Sequence, residues 1–435
     1  MSKTTRRQFL SNVAATGAAG ALGGCTTPAP TEVAAVTTPP PAPAPAPEPV
    51  VKVEAPARRV LGPNDRIRCA FIGVGGRGGS ILDSTLDLKD VDVVAVSDVY
   101  KPTLERAVAK CRAKVPDAKA YVAFEELLAA ETLDAVVIGA PDHIHAPAIL
   151  AALDRNHDVY TEKPMTLTWQ EAKAVRDRVN EKAAVLQTGT QLRSVNIYQK
   201  AREVIQAGGI GKVVMVQVDR HGWGGFTRSR PANFQAADVD WQRFLRDTKP
   251  YPFEEQRYLN WRRYVEYSNG ASGDLMLHHL DLCHFITGCG MPQRVMSTGG
   301  IYQLNDGRTC ADTIGVLLEY PEKFTFSFAA TFVNGHYGLL ERYLGSEGTI
   351  EIRDMSTLNI FKGRRQNESV ETIKSTGINN TPHLEDFFRC MRTREKPIAP
   401  IEAGFMGAIC CHMAVLSEQS GDAATWDATT ESVRV

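Results

Sequence analysis

The stretch Ile67-Arg68-Cys69-Ala70-Phe71-Ile72-Gly73-Val74-Gly75-Gly76-Arg77-Gly78 decides the fold. A short, mostly apolar run passes directly into glycines spaced G-x-G-x-x-G, at Gly73, Gly75 and Gly78. The run is too short for a helix and is closed by glycines, which predicts a buried strand. Glycines in this spacing permit a tight turn and let backbone N–H groups approach a pyrophosphate at the start of a helix. A glycine-rich loop alone is often only a turn, so its context carries the weight. Asp98 ends the next strand-like run, Val91 to Ser97, where a carboxylate would meet the ribose of a dinucleotide. Such a carboxylate repels a 2′-phosphate, which favours NAD, while nearby Lys101 keeps NADP as the alternative.

Outward from this loop, strand-like and helical runs alternate. Ala135 to Gly139, His157 to Tyr160 and Ala184 to Gln187 read as strands, and Lys101 to Lys114, Phe124 to Ala130 and Thr168 to Glu181 as helices. The alternation predicts an α/β fold, with a doubly wound parallel sheet, a dinucleotide-binding Rossmann domain, over 63–189. Beyond Gly189 the strand-like runs follow one another: Val213 to Asp219, Gln293 to Thr298, Thr313 to Tyr320, Phe324 to Phe332 and Thr349 to Ile352. These predict an α+β domain over 190–382 with a large, open, mainly antiparallel sheet, accompanied by helices at Val195 to Ala207 and Asp274 to Ile286. A helical segment over 383–435 is expected to pack back near the Rossmann domain. An open sheet face needs covering, which predicts a homodimer or homotetramer.

The first residues have a different character. Thr5-Arg6-Arg7-Gln8-Phe9-Leu10 reads as a twin-arginine export signal, and Leu22-Gly23-Gly24-Cys25 resembles a lipobox. Residues 1–25 are therefore expected to address the chain to the periplasm, with Cys25 lipidated; cleavage without an anchor is the alternative. Residues 26–62 are rich in Pro and Ala, with alternation from Pro39 to Pro47, and read as a semi-rigid linker. With 49 basic against 50 acidic residues, there is no electrostatic case for nucleic acid. The nine cysteines include no C-x-x-C pair. Export of a protein folded in the reducing cytosol predicts free, buried thiols.

Three further segments carry a family likeness: Ala140-Pro141-Asp142-His143-Ile144-His145, Glu162-Lys163-Pro164 and Gly273-Asp274-Leu275-Met276-Leu277-His278-His279-Leu280-Asp281. With the glycine loop, and in that order, they resemble the glucose–fructose oxidoreductase/inositol dehydrogenase (Gfo/Idh/MocA) family from about Arg66 to the C-terminus. Gly189-Thr190-Gln191 and Trp261-Arg262 look like its exported members. The resemblance implies nicotinamide held between the two domains. It places Gly73, Gly75, Gly76, Arg77, Gly78, Asp98, Pro141, His145, Glu162, Lys163 and Gln191 at the cofactor. It also implies that Lys163 touches the nicotinamide ribose and the substrate hydroxyl, that the Lys163-Pro164 peptide is cis, and that Asp274 and His278 line the substrate pocket. Some members carry Tyr in place of that His, so the proton-transfer role varies.

The chemistry also follows from the residues. Oxidising a secondary alcohol of a sugar or polyol requires a base for the hydroxyl proton while hydride leaves carbon, and His278 suits that task. Asp274 lies four residues earlier, hence on the same helical face, where it can orient the imidazole. Lys163 can stabilise the developing alkoxide. The bland alternatives are an ordinary turn at Glu162-Lys163-Pro164 and an exposed helical pair at Asp274 and His278. A metal among His278, His279, His284, Asp274 and Asp281 is not expected, because no two of these histidines are four apart. The irregular insertion from Trp223 to Tyr267 is rich in aromatic rings, including Trp241, Tyr258 and Tyr264, that suit the apolar faces of sugars. Trp261 and Arg262 within it are expected substrate contacts, as is His279 outside it, and loop packing on the second domain's sheet is the competing reading. Two other functions stay open. One is NAD-dependent glycoside hydrolysis or lysis through transient oxidation, of which Asn334-Gly335-His336-Tyr337 is a faint echo; the other is a sugar-binding lipoprotein that has lost catalysis.

Overall fold

The computed structural model describes residues 57–222, 224–363, 365 and 368–435. The export signal, Cys25, most of the linker and Trp223 lie outside the described residues.

Residues Ile67–Ile72 form β1, buried along nearly its whole length, as a central strand covered on both faces must be. The chain continues through α1 (Gly76–Leu86), β2 (Val91–Ser97), α2 (Lys101–Arg112), β3 (Lys119–Tyr121), α3 (Phe124–Ala130), β4 (Ala135–Ile138), α4 (Asp142–Asp154), β5 (Asp158–Thr161), α5 (Trp169–Lys182) and β6 (Leu186–Thr188). The strands pair in parallel in the order β3-β2-β1-β4-β5-β6. The order reverses between β1 and β4, which opens a crevice at their carboxyl ends. A capping box fixes the start of α5: the Thr168 side chain accepts from the Glu171 N–H, and Glu171 accepts from the Thr168 N–H.

The second sheet is built from β7 (Val213–His221), which follows α6 (Asn196–Gln206), and then from strands beyond α7 (Trp241–Leu245), α8 (Glu255–Leu259) and α9 (Leu277–Thr287). These are β8 (Arg294–Gly300), β9 (Thr313–Glu319), β10 (Thr325–Thr331), β11 (Leu339–Gly345), β12 (Gly348–Arg353), β13 (Thr357–Lys362) and β14 (Glu371–Lys374). After α10 (Thr381–Thr393) and α11 (Ile401–Ser420), the hairpin β15 (Ala424–Asp427) and β16 (Ser432–Arg434) joins the edge at β8. The order is β14-β13-β12-β11-β7-β10-β9-β8-β15-β16. Only β7 and β10 pair in parallel. Burial alternates along β10, with Phe326, Phe328 and Ala330 turned inward, as for a sheet with one covered face.

Two expectations need correction. Residues 383–435 are not wholly helical, because their last strands complete the second sheet; these are too short to be recognised without the β8 edge, which β15 pairs with. The insertion before α9 packs on the Rossmann domain as well as on the second domain, where Phe226 meets the Phe332 ring and Arg263 O accepts from the Thr309 N–H. Val239 bridges Tyr100, the Asp240 N–H donates to Val99 O at 2.9 Å, and His143 Nε2 lies 2.7 Å from Phe244 O. Its aromatic rings fill this contact, with Phe234 and Tyr258 around Tyr100, and Trp241 stacked on Phe244. We call it the strap.

Helix α10 buries Leu384, Phe387 and Met391 against the Rossmann core. Helix α11 is long and apolar enough to cross a membrane, but two-thirds of it is buried (67%), in contact with α5 and β8; it is a core helix. The described cysteines are free and buried.

Candidate active site

The crevice between β1 and β4 is a cleft of about 1000 Å³ bounded by the glycine loop, β2, α3, the start of α4 and the strap. Gly73 has φ +79°, and a Cβ on it would stand 2.5 Å from the Ala140 backbone. At Gly78 a Cβ would meet Gly73 O at 2.0 Å, so α1 packs on β1 only with glycine there. Gly75 precedes α1 with no atom in the way of a side chain, leaving the helix N-terminus open to an anion. Asp98 accepts from the Val74 N–H and the Tyr100 N–H, both at 2.9 Å. Burial raises its pKa despite these bonds. This cradle fits a dinucleotide: N–H groups for the pyrophosphate, a carboxylate for ribose, and an elongated cavity. The cation beside Asp98 in the cleft is Arg106, not Lys101.

The Lys163-Pro164 peptide is cis. Lys163 Nζ donates to Asp274 Oδ1 and to Asp274 O, each at 2.9 Å. Arg262 Nε reaches the same carboxylate oxygen at 2.9 Å. Burial alone would raise the Asp274 pKa, but Lys163 and Arg262 outweigh it and hold the carboxyl well below its usual range. Asp274 sits in a π-helical turn, Ser272–Met276, immediately before α9, an irregularity frequent at functional sites. His278 follows on the first turn of α9. Burial, then Lys163 and Arg220, push its pKa well below that of free histidine, so the ring is neutral at neutral pH. Its Nδ1 is buried without a hydrogen-bond partner among the described residues. The expected orienting bond from Asp274 to His278 is therefore absent among the described residues: two cations claim the carboxylate ahead of a neutral ring.

Several other expected residues take different places. Arg77 lines the cleft, but its guanidinium pairs with Glu162 Oε1 at 3.0 Å and donates to Asn380 Oδ1 at 2.8 Å. It braces Glu162 and α10, while its buried Nη2 has no hydrogen-bond partner among the described residues. His145 is buried, with Nδ1 2.7 Å from Pro164 O and Nε2 2.9 Å from Ala140 O. It ties the cis turn to the β4–α4 loop and offers the cofactor no ring nitrogen. His279 is fully buried. Arg220 Nη1 donates to its Nε2 at 2.7 Å, which leaves the proton on Nδ1, 3.1 Å from Glu341 Oε1. One step along a helix turns a side chain by about 100°, so His278 and His279 face different neighbours. Pro141 caps α4, and Gln191 opens a short 3₁₀ turn with its Oε1 buried and unpartnered among the described residues. Trp261 and Arg262 border both the cleft and a smaller adjoining cavity of about 310 Å³, which Asp274 also lines. Their side chains stack, with Arg262 Cζ 4.2 Å from the ring centre.

Sequence reasoning missed two residues of consequence. Asp142 is buried, and that burial pushes its carboxyl up to about 7, against the lowering effect of Arg262 and Lys163. It stands inside the Pro141–His145 segment, but only a three-dimensional neighbourhood gives it this environment. Arg228 reaches from the strap to the glycine loop and borders both cavities. The one signal for it is the glycine-rich turn just upstream.

Residues 67–190 match the oxidoreductase family GFO_IDH_MocA, NAD-binding Rossmann fold, and residues 202–425 match that family's C-terminal alpha/beta domain. The chain is 22% identical over 352 residues to scyllo-inositol 2-dehydrogenase (NAD(+)) of Bacillus subtilis, covering 77% of this chain and 88% of that protein. It is 30% identical over 118 residues to a glycosyl hydrolase family 109 protein of a Shewanella species, covering 26% of each. The fold is shared with the WlbA dehydrogenase of Bordetella pertussis, whose crystal structure holds NADH and UDP-GlcNAcA. That likeness has a TM-score of 0.64 at 18% identity, over 83% of this chain and 99% of the other.

Proposed function

The chain belongs to the Gfo/Idh/MocA family of NAD-binding oxidoreductases, and from that premise we propose that it removes hydride from a secondary alcohol carbon of a sugar or polyol. That it is an enzyme of the sugar or polyol dehydrogenase type follows from the family and its relatives. The roles of individual residues are our reading. NAD, when bound, supplies the hydride acceptor. An ammonium group has three N–H donors; Lys163 gives two to Asp274 and keeps the third for the substrate oxygen. As the hydroxyl loses its proton, that donor stabilises the developing negative charge. His278, neutral and with an unpartnered ring nitrogen, takes the proton. Asp274 holds Lys163 and Arg262 in place and offsets one of their two charges. The observation that carries this reading is the Lys163–Asp274–Arg262 cluster beside a neutral histidine.

A second reading is favoured by the family 109 similarity and by Asp142. A redox-neutral hydrolase or lyase needs a group to handle a second proton, and a carboxyl near 7 is suited to it. Incubation with a panel of sugars and glycosides, followed by mass spectrometry, separates the two. A product two mass units lighter supports the dehydrogenase; a released sugar with no net oxidation supports the hydrolase and overturns net hydride removal. In either case, Lys163→Met is expected to lower kcat roughly 100- to 1000-fold with the bound dinucleotide retained. Near-wild-type turnover would remove Lys163 from the chemistry.

Export by the twin-arginine route, with Cys25 as a lipid anchor, belongs to the same proposal. Outside the cytoplasm NAD is not replenished, so the dinucleotide is carried out inside the folded protein and recycled there. Protein dialysed and then denatured should release close to one dinucleotide per chain; a chain that needs fresh NAD for each turnover would refute recycling.

A further inference from the structure

The cleft contains six arginines, and five have local partners. Arg77 pairs with Glu162, Arg243 with Asp240, Arg246 with Glu125 and Arg262 with Asp274, while Arg106 donates to Thr103 Oγ1. The Arg228 guanidinium has no hydrogen bond or ion pair among the described residues; its backbone N–H alone is held, by Asn260 Oδ1 at 2.8 Å. Its position is nonetheless defined. A Cβ placed on Gly76, the first residue of α1, would stand 3.2 Å from Nη2 and 3.3 Å from Nη1 of Arg228. An unpaired guanidinium thus lies over the helix start at which the glycine loop presents its N–H groups. The chain gets there through a sharp turn after β7, where Gly222, Gly224 and Gly225 have φ of +76°, +68° and +62°, values that glycine adopts without strain. Arg77, the obvious phosphate ligand from sequence, is held by Glu162 and Asn380.

We propose that Arg228, carried by the second domain, binds the dinucleotide's pyrophosphate across the cleft. A planar guanidinium matches phosphate oxygens in a fork, and the N–H groups of α1 bind them from the other side. The strap is fastened beyond Arg228 to Val99 and Tyr100. The phosphate is therefore enclosed between the two domains, and cofactor release requires Arg228 to let go. The inference rests on the family's dinucleotide-binding fold, independently of the sugar reaction and of cofactor recycling.

The test uses the full chain with Arg228→Met and Arg228→Lys. The probe is NAD, and the readouts are its dissociation rate after mixing with excess competing dinucleotide and the salt dependence of its dissociation constant. Loss of one charged bidentate contact predicts roughly 10- to 100-fold faster release and weaker binding for Arg228→Met, a flatter salt dependence, and partial recovery with lysine. The guanidinium makes no hydrogen bond or ion pair among the described residues, so thermal stability without the dinucleotide should change little. Unchanged NAD release and affinity in Arg228→Met would overturn the proposal. So would an effect confined to the KM of an anionic substrate, because Arg228 also borders the cavity lined by Asp274. Should the wild type itself exchange NAD freely, recycling falls, while the ratio of dissociation constants still decides the role of Arg228.

Discussion

Burial first, and then two cations and one carboxylate, set where the His278 imidazole titrates. Burial, Lys163 and Arg220 all lower its pKa, and Asp274 opposes them weakly because its charge is already shared by Lys163 and Arg262. If His278 is the base, the acidic limb of the kcat/KM profile reports its protonation and lies well below the ordinary histidine range. We expect His278→Asn to erase that limb. Asp274→Asn should move it further down, since a carboxylate is lost while both cations stay; a limb unmoved in both variants would place the base elsewhere. Asp142 makes the opposite kind of prediction. Its folded-state pKa of about 7 lies above the unfolded value near 3.9, so the folded chain holds that proton more tightly. The resulting stabilisation is present below about pH 4 and is lost as pH rises to about 7, with an upper limit on the order of 4 kcal/mol. Asp142→Asn, an isostere of the protonated acid, should therefore raise stability relative to wild type at pH 8 and much less at pH 5. Urea denaturation at the two values measures it, and an equal difference at both would show that Asp142 does not titrate there. Neither the strength of the Asp274 cluster nor the state of Asp142 was legible in sequence, because the first depends on Lys163 arriving from a distant segment and the second on burial in the folded chain.

At the scale of elements, strands with a strong local signature were readable and those defined by their neighbours were not. β1, β2 and β4 are mostly apolar runs ending in glycine or a polar turn, and each was recognised. β3 is three residues long with little burial, and it is a strand only because β2 offers an edge. The strap shows the same limit: its aromatic residues were visible, but their periodicity is irregular, so nothing local reveals that they seal the β2–α2 turn. Asp98 joins these two levels. The sequence placed it at the ribose, and the fold gives it a second task, accepting the N–H groups of Val74 and Tyr100 and so holding the glycine loop against the start of α2. We therefore expect Asp98→Ala to weaken NAD binding about tenfold or more, since a charge-accepting bond contributes roughly 1.5–3 kcal/mol. NADP should lose less, because repulsion of its 2′-phosphate disappears and Arg106 remains beside it. Titration of both dinucleotides checks this; an unchanged NAD to NADP ratio would mean that Asp98 acts on the loop alone.

For the whole molecule, the two sheets differ in how completely they are covered. Helices cover both faces of the Rossmann sheet, whereas burial along β8, β9 and β10 alternates, leaving one face of the second sheet open. That open face is not uniformly polar. Met296 and Leu317 lie directly opposite one another on β8 and β9, 44% and 47% exposed, and Met215 on β7 is 37% exposed. Neighbouring apolar side chains on the middle strands of a sheet are more than a scatter of single exposed residues, and such patches commonly mark an interface. A second copy is a self-complementary occupant, since a two-fold axis brings the same strands face to face. We therefore expect a homodimer through this face in solution, or a tetramer if a further surface is used. Met296→Lys combined with Leu317→Lys would set four positive charges across a two-fold contact while leaving the inward core residues Val295, Val316 and Leu318 untouched. The measurement is mass by light scattering on the purified chain: the wild type at twice or four times the chain mass and the double variant at a lower multiple, with dinucleotide content unchanged. A wild type that runs as a monomer at micromolar concentration, or a double variant of unaltered mass, would show that this face stays open to solvent.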